Sequence, residues 1–367
     1  MIEFTLPSLG ADMDEGRLNE WLVSPGDSVE RGQVIAVVET TKAAVEVECW
    51  HEGTVHELLV PVGQTVPVGM TIATLLEPGE EAPTSPVAAR EPAEAERPVR
   101  TRATPAARRE AAARGIDLAS LTGTGPEGAV TLDDVEAAAA PAAPIDRTAE
   151  TRRAIAAAMS RSKREIPHYY LTERISLAHT LDWLSRVNAD RSVTERLLPV
   201  VLQIKAVALA AKKYPDMNGF WRGDGFESAD AVHVGVAIAL RQGGLVAPAI
   251  HDVADKSLEQ IAGELADLVR RVRSGSMRSS EMSDPTLTVT SLGDEGVESV
   301  IGVIYPPQVA LVGFGRTVER PWADGTEIRV VPTVVASLAA DHRVSDGRRG
   351  ALFLSEVADL LEHPERL

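Results

Sequence analysis

Two places in this 367-residue sequence concentrate side chains able to do chemistry. The first is Lys42, in VETTKAAVEVE, the only lysine among residues 1–77, a segment with 13 acidic residues and only Arg17 and Arg31 as other strong bases. The second is Asp341-His342-Arg343-Val344-Ser345-Asp346-Gly347. An imidazole can gain or lose a proton near neutral pH. Taken alone, though, His342 reads equally as a satisfied structural histidine, and Asp346 as the N-cap of a following helix. A third feature, LTVTSLG, places the hydroxyls of Thr290 and Ser291 on a strand. Cys49 is the only cysteine, so neither an internal disulfide nor a cysteine-based zinc cluster is possible. Any thiol chemistry must use thiols from elsewhere.

The elements that carry these residues fall into blocks. Composition shifts after Glu77 to PGEEAPTSPVAAREPAEAERPVRTRA, which has five prolines and almost no large apolar side chains, and again at AAAAPAAPID around Pro141 and Pro144. Neither stretch can build a core. The expected order is a small domain over 1–77, a linker over 78–103, a very small domain over 104–137, a linker over 138–147 and a large domain over 148–367. The formal charge of −17 argues against nucleic acid or anionic membrane as the main partner. The N-terminus has no basic and apolar leader pattern, and the apolar stretch from Leu197 to Ala211 is interrupted by Gln203 and Lys205. A soluble, cytoplasmic protein is expected.

Residues 1–77 contain an internal repeat. GRLNEWLVSPGDSVERGQVIAV from Gly16 aligns with GTVHELLVPVGQTVPVGMTIAT from Gly53, pairing Gly26 with Gly63, Val29 with Val66, Gly32 with Gly69 and Ile35 with Ile72. Alternating apolar residues and fixed glycines predict short strands in two related halves, a sandwich or flattened barrel. Lys42 then falls at a hairpin tip where the halves join. This domain resembles the lipoyl and biotinyl domains, in which such a lysine is the attachment site. Biotinyl domains usually flank the lysine with methionines, whereas Thr41 and Ala43 stand here. ETTKA is closer to the lipoyl pattern, so the resemblance implies lipoate on Lys42 in amide linkage, a dithiolane the chain otherwise lacks. On a flexible tether that arm gains an effective concentration toward the millimolar range.

In the second block, Pro105 opens a predicted helix, Gly115 ends it, and Thr131 opens another with Asp133 and Asp134 in its first turn. Five arginines from Arg100 to Arg114, against Glu110, make it a basic island. Including Gly123-Thr124-Gly125, the block resembles the peripheral subunit-binding domain of 2-oxo acid dehydrogenase complexes. That implies docking of other subunits through Arg108, Arg109 and Arg114. Ala129 and Leu132 stand where the family usually has basic residues.

The large block has a mixed α/β pattern, with helical spacing in RRAIAAAMSRSK and KSLEQIAGELADLVRRVRSG. Strands are predicted in VHVGVAIAL, LTVTSLG, QVALVGFG and IRVVPTVVASLAA, followed by a helix through Leu361. DHRVSDG resembles the H-x-x-x-D-G signature of dihydrolipoamide acyltransferases and of chloramphenicol acetyltransferase. IPHYYL from Ile166, LTVTSLG and YPPQVALVGFG from Tyr305 agree with it. The resemblance implies a chloramphenicol-acetyltransferase-like α/β fold and acyl transfer from a dihydrolipoyl thioester to coenzyme A. An ordinary thiol, with pKa near ~8.5, is only a few per cent ionised at neutral pH, so a base is needed. The resemblance assigns that role to His342, donation to the oxyanion to Thr290, and loop orientation with assistance to the base to Asp346.

The whole chain thus resembles the acyltransferase core of a 2-oxo acid dehydrogenase complex. Implied partners are the decarboxylase-dehydrogenase and dihydrolipoamide dehydrogenase components and two further copies forming a trimer within a larger shell; no metal is implied. PHYYL favours acetyl, hence the pyruvate dehydrogenase type, while ETTKA also occurs in branched-chain-type lipoyl domains. The competing readings are a non-catalytic lipoyl tethering subunit and a biotin carrier.

Overall fold

The structure, a computed structural model, describes residues 1–7, 13, 15–40, 44–77, 102–114, 118, 123–139, 147–240, 244–293 and 296–367. It has two compact units, Met1–Glu81 with Arg147–Leu367, and Ala82–Asp146.

The N-terminal part is all-β. Strands β1 (Ile2–Thr5), β2 (Glu15–Trp21), β3 (Ser28–Val29), β4 (Gln33–Glu39), β5 (Ala44–Cys49), β6 (Gly53–Leu58), β7 (Thr65–Pro67) and β8 (Thr71–Leu76) form two sheets, ordered β1-β8-β6-β3 and β5-β4-β2-β7. The repeat is visible in the backbone. Gly26 and Gly63 have φ of 96° and 93°, and Gly32 and Gly69 have 83° and 85°. Each half needs the same two left-handed turns, which glycine adopts without steric cost. Val29, Ile35, Val66 and Ile72 meet in one core, as the repeat alignment requires. Cys49 is buried with them, and burial pushes its thiol pKa up, so it is an inert core residue.

The second unit holds α1 (Pro105–Arg114) and α2 (Leu132–Ala139). Ala107, Ala111, Val130 and Val135 form its small core. The expected start at Thr131 is realised as a reciprocal cap. Asp134 N–H donates to Thr131 Oγ1, and Asp134 Oδ2 accepts from Thr131 N–H at 2.8 Å. The same carboxylate accepts from Thr124 N–H and Thr124 Oγ1, so these donors hold Asp134 well below the usual carboxylate range. α2 runs two residues past the expected boundary, because alanine carries the helix on toward Pro141. Gly115 lies outside the described residues.

The C-terminal part opens with α3 (Arg147–Glu165), β9 (His168–Ser176), α4 (Ala178–Val187) and α5 (Pro199–Lys213). Two short hairpins and an edge follow: β10 (Gly219–Arg222) with β11 (Gly225–Ser228), β13 (Ile238–Ala239) with β14 (Leu245–Val246), and β12 (Val234–Val236) with β15 (Ala249–Ile250). Then come α6 (Leu258–Ser274), β16 (Met277–Arg278), α7 (Ser279–Ser283), β17 (Leu287–Ser291), β18 (Ala310–Phe314), β19 (Val318–Asp324), β20 (Glu327–Asp341) and α8 (Gly347–Glu362). A seven-stranded mixed sheet runs β15-β12-β17-β18-β20-β19, with β9 also on β20. The stretch Leu197–Ala211 becomes the buried helix α5. Lys205 is satisfied inside by the carbonyls of Val253, Ala254 and Lys256 at 2.6 to 3.3 Å. Among the described residues no helix is long and apolar enough to cross a membrane.

One face of the sheet, carrying Leu287, Val289, Val312, Phe314, Ala336 and Leu338, packs into the main core with α5 and α8. Side chains alternate along a strand. Thr288, Thr290, Gly313, Ser337, Ala339 and Asp341 therefore belong to the opposite face, where Ile166 and Ile304 cover Ala339.

Candidate functional site

His342 sits in the turn between β20 and α8, with an exposed side chain, and its N–H donates to Pro167 O at 2.9 Å. The turn is fixed by its neighbours. Asp341, fully buried, accepts from Arg343 N–H at 2.9 Å and from the Arg343 guanidinium at 2.6 to 3.1 Å. Such bidentate pairs have defined geometry. Val344 and Ser345 N–H groups donate to Asp341 O at 3.0 and 3.1 Å. The far face of the Arg343 guanidinium lies 4.4 Å from the Trp221 ring centroid.

IPHYYL forms the wall beside this turn. β9 pairs with β20 so that His168 lies opposite Asp341 and Tyr169 opposite Ala340. The Tyr169 ring meets His342 edge-on at 5.2 Å, and its hydroxyl lies 2.8 Å from Ser345 Oγ. Burial pushes the Tyr169 phenol pKa up. His168 is a structural histidine. Its Nδ1 lies 2.8 Å from Ile166 O, its Nε2 accepts from Ile304 N–H at 3.2 Å, and burial lowers its pKa.

Asp346 is the N-cap of α8, accepting from Arg349 N–H at 3.0 Å. That bond is the main reason its pKa is lowered. The cap fixes where the turn becomes helix, and Arg349 in turn pairs with Asp216 at 2.6 Å.

Thr290 and Ser291 are both half-buried on β17, but they point to opposite faces. Ser291 follows Leu287 and Val289 on the helix-packed face. Thr290 follows Thr288, whose Oγ1 donates to Gln308 Oε1 at 2.7 Å on the other face. Thr290 lies opposite Gly313, and Gly313 opposite Ser337, so the three form one row across the sheet. At ~4.8 Å per strand and ~3.3 Å per residue, His342, five residues beyond Ser337, lies roughly 19 Å diagonally from Thr290. One chain therefore does not bring these two residues together.

Lys42 lies outside the described residues. Its flanks are described: β4 and β5 are antiparallel, with Glu39 opposite Ala44.

A second cluster escaped the sequence reading. His233 and His251 rings lie 4.9 Å apart, His251 Nε2 is 3.1 Å from Asp284 Oδ2, and His233 Nδ1 accepts from Asp252 N–H at 3.0 Å. Asp252 has φ 47°, the one non-glycine positive φ among the described residues. The two histidines lie 18 positions apart in unremarkable contexts, so only the pairing of β12 with β15 could reveal them. Tyr169 and the Asp341–Arg343 brace lay inside or beside recognised motifs but had no role from sequence alone. Among the described residues no group of His, Cys, Asp and Glu is arranged to hold a metal ion.

Comparison with known proteins gives three family matches: biotin-requiring enzyme, in its biotin/lipoyl model, at residues 2–75; the e3 binding domain at 101–136; and the catalytic domain of 2-oxoacid dehydrogenases acyltransferase at 145–367. The chain is similar to the dihydrolipoyllysine-residue acetyltransferase component of the pyruvate dehydrogenase complex of Zymomonas mobilis, with 30% identity over 99% of this chain and 98% of that one. It is similar also to the lipoamide acyltransferase component of the branched-chain alpha-keto acid dehydrogenase complex of Bacillus subtilis, with 31% identity over 98% and 97%. Among solved structures, the cubic core of the pyruvate dehydrogenase multienzyme complex superposes with a TM-score of 0.56 at 27% identity, covering 62% of this chain and 98% of that one.

Proposed function

The chain belongs to the family of 2-oxoacid dehydrogenase acyltransferases, and from that premise we propose that His342 and Thr290 carry acyl transfer to coenzyme A, with acetyl as the preferred group. The observation that carries this reading is the turn at His342: an exposed imidazole on a turn held by the pairing of buried Asp341 with Arg343, and packed edge-on by Tyr169.

Lys42 holds the lipoyl group, which in its reduced form supplies the acyl thioester. His342 takes the proton from the coenzyme A thiol as its sulfur bonds to the acyl carbon. The carbon–sulfur bond to the donor breaks, and the departing sulfur receives that proton back from His342. Thr290 Oγ1 donates to the carbonyl oxygen while it carries negative charge. A preorganised donor of this kind contributes ~10²–10³ in rate. Asp346 positions the turn through its cap.

Because Thr290 and His342 are diagonal across one sheet, the site is completed between copies, His342 from one and Thr290 from the next. A trimer does this with three equal sites, and trimers assembled into a shell agree with the likeness to a cubic core. The domain limits 1–77, 104–137 and 148–367 and a cytoplasmic location belong to the same reading. So do the partners: a decarboxylase-dehydrogenase, and a dihydrolipoamide dehydrogenase docked on the second unit.

Acetyl preference rests on PHYYL at 167–171, whereas the two relatives divide between acetyl and branched-chain complexes. Steady-state transfer with acetyl, isobutyryl and succinyl donors tests it; a clear isobutyryl preference reverses the assignment. Lys42→Arg tests the attachment. It should abolish the complete cycle of the complex and leave transfer from free dihydrolipoamide intact. A complete cycle in that variant would remove Lys42 from the account.

A further inference from the structure

The sheet β5-β4-β2-β7 does not end at β5. β16, more than two hundred residues away in sequence, continues it in parallel, with Met277 opposite Val45 and Arg278 opposite Glu46. We infer that the edge formed by β16 and the start of α7 is a docking station for the chain's own lipoyl domain, engaged through β5 and the buried carboxylate of Glu48.

The contact is specific. Glu48 is 7% exposed, and its Oε2 accepts from Ser280 Oγ at 2.5 Å, Ser280 N–H at 3.3 Å and Ser279 Oγ at 3.5 Å. Its own N–H donates to Ser279 Oγ at 3.2 Å. Two positions back, Glu46 Oε1 accepts from Ser276 Oγ at 2.6 Å. An open sheet edge seeks a strand, and strand addition supplies backbone bonds while flanking side chains supply selectivity. Here the selectivity is carboxylate to hydroxyl: two acidic residues of β5 meet three serines. A buried carboxylate without such donors is strongly disfavoured, so the pairing recognises this edge and not any edge.

The contact is also small. It joins two residues of each strand, and a cavity of about 170 Å³ remains at the junction, bordered by Phe4, Trp50, His51 and Ser283. That suits a domain that must leave. The 26 residues from 78 to 103 can span at most roughly 90 Å, enough for both docked and released positions. α7 contacts β15, the edge strand of the large sheet four places from β20. Four strand spacings, roughly 19 Å, separate β15 from β20 and the turn that holds His342. The docked position is therefore separate from the turn of the same chain's His342.

Hydrogen exchange of the full-length protein, read by mass spectrometry on peptides covering 44–49 and 276–280, tests this across the two domains. Glu48→Lys is expected to raise exchange at 276–280 at least tenfold, and Ser280→Arg to do the same at 44–49. Peptides 71–76 and 310–314 should keep their protection. Ser280→Ala, which adds no bulk, gives the same direction if arginine disturbs α7 itself. If each variant changes only its own domain, or if 276–280 in the unaltered chain exchanges as fast as in Glu48→Lys, the station does not exist. Acyl transfer from free dihydrolipoamide, measured on the same samples, should be unchanged by Glu48→Lys. Its absence from every sample, the unaltered chain included, would count against the acyltransferase reading and leave the docking result standing.

Discussion

Tyr169 braces both ends of the His342 turn at once: its ring packs edge-on against the imidazole at 5.2 Å, and its hydroxyl pairs with Ser345 Oγ at 2.8 Å. Tyr169→Phe keeps the ring and removes a hydrogen bond of about 1 kcal/mol, so kcat should fall roughly fivefold with KM for coenzyme A unchanged. Tyr169→Ala, which also removes the packing, should cost clearly more. Steady-state kinetics of the two variants check the order.

Thr290 and Ser291 are neighbours that the sheet turns to opposite faces. Thr290→Ala should lower acyl transfer by ~10²–10³ with little change in coenzyme A affinity, while Thr290→Ser retains most of the rate. Ser291→Ala should stay near the starting activity. The reverse ranking would show that the row through Gly313 and Ser337 is not the reacting face.

Much of this was legible because it is local. The paired glycines announced the two related β-halves, and their matching positive φ values are the physical reason the repeat exists. DHRVSDG marked the turn, and Asp346 proved to be the helix cap its position suggested. What escaped depends on distant strands meeting. The neighbours of His342 come from β9, and the faces that Thr290 and Ser291 take are set by the helices beneath the sheet. No local pattern tells that β16 will extend the sheet of β5. The second copy proposed to complete the site has no signature in a single chain's periodicity.

The pair His251–Asp284 predicts a pH-dependent contribution to stability. The hydrogen bond that His251 donates to the Asp284 carboxylate raises the His251 pKa against the effect of burial. A raised histidine contributes fully below its unfolded value, ~6.5, and loses that contribution as pH rises through the folded value. For Asp284, burial pushes upward, but the bonds to His251 and Ser283 win and the pKa is lowered. Its contribution is present above ~3.9 and is lost as pH falls through the folded value. The loss of Tm in His251→Gln should therefore be largest between about pH 4 and 6.5 and shrink by pH 9. Thermal unfolding across that range checks it, and a gap that widens with pH would reverse the sign.

In the second unit, Arg108 and Arg109 are exposed while Ala107 and Ala111 face the core. With Ala129 and Leu132 uncharged, these arginines and Arg114 should dominate attraction to an acidic patch on the docked dehydrogenase. Affinity should fall with added salt, and the triple alanine variant should lose most of that dependence. Titration calorimetry at two ionic strengths decides the matter; salt-independent binding would assign docking to another face.

The central claim is that His342 of one copy works with Thr290 of the next. Co-expressing His342→Ala and Thr290→Ala chains in equal amounts and measuring acyl transfer from free dihydrolipoamide tests it most directly. Each parent alone should be nearly inactive. In mixed assemblies, random pairing leaves about a quarter of the sites with both residues intact, so the account predicts about a quarter of the unaltered rate. Activity no higher than that of the parents would mean that both residues must come from one chain, and the account would fail.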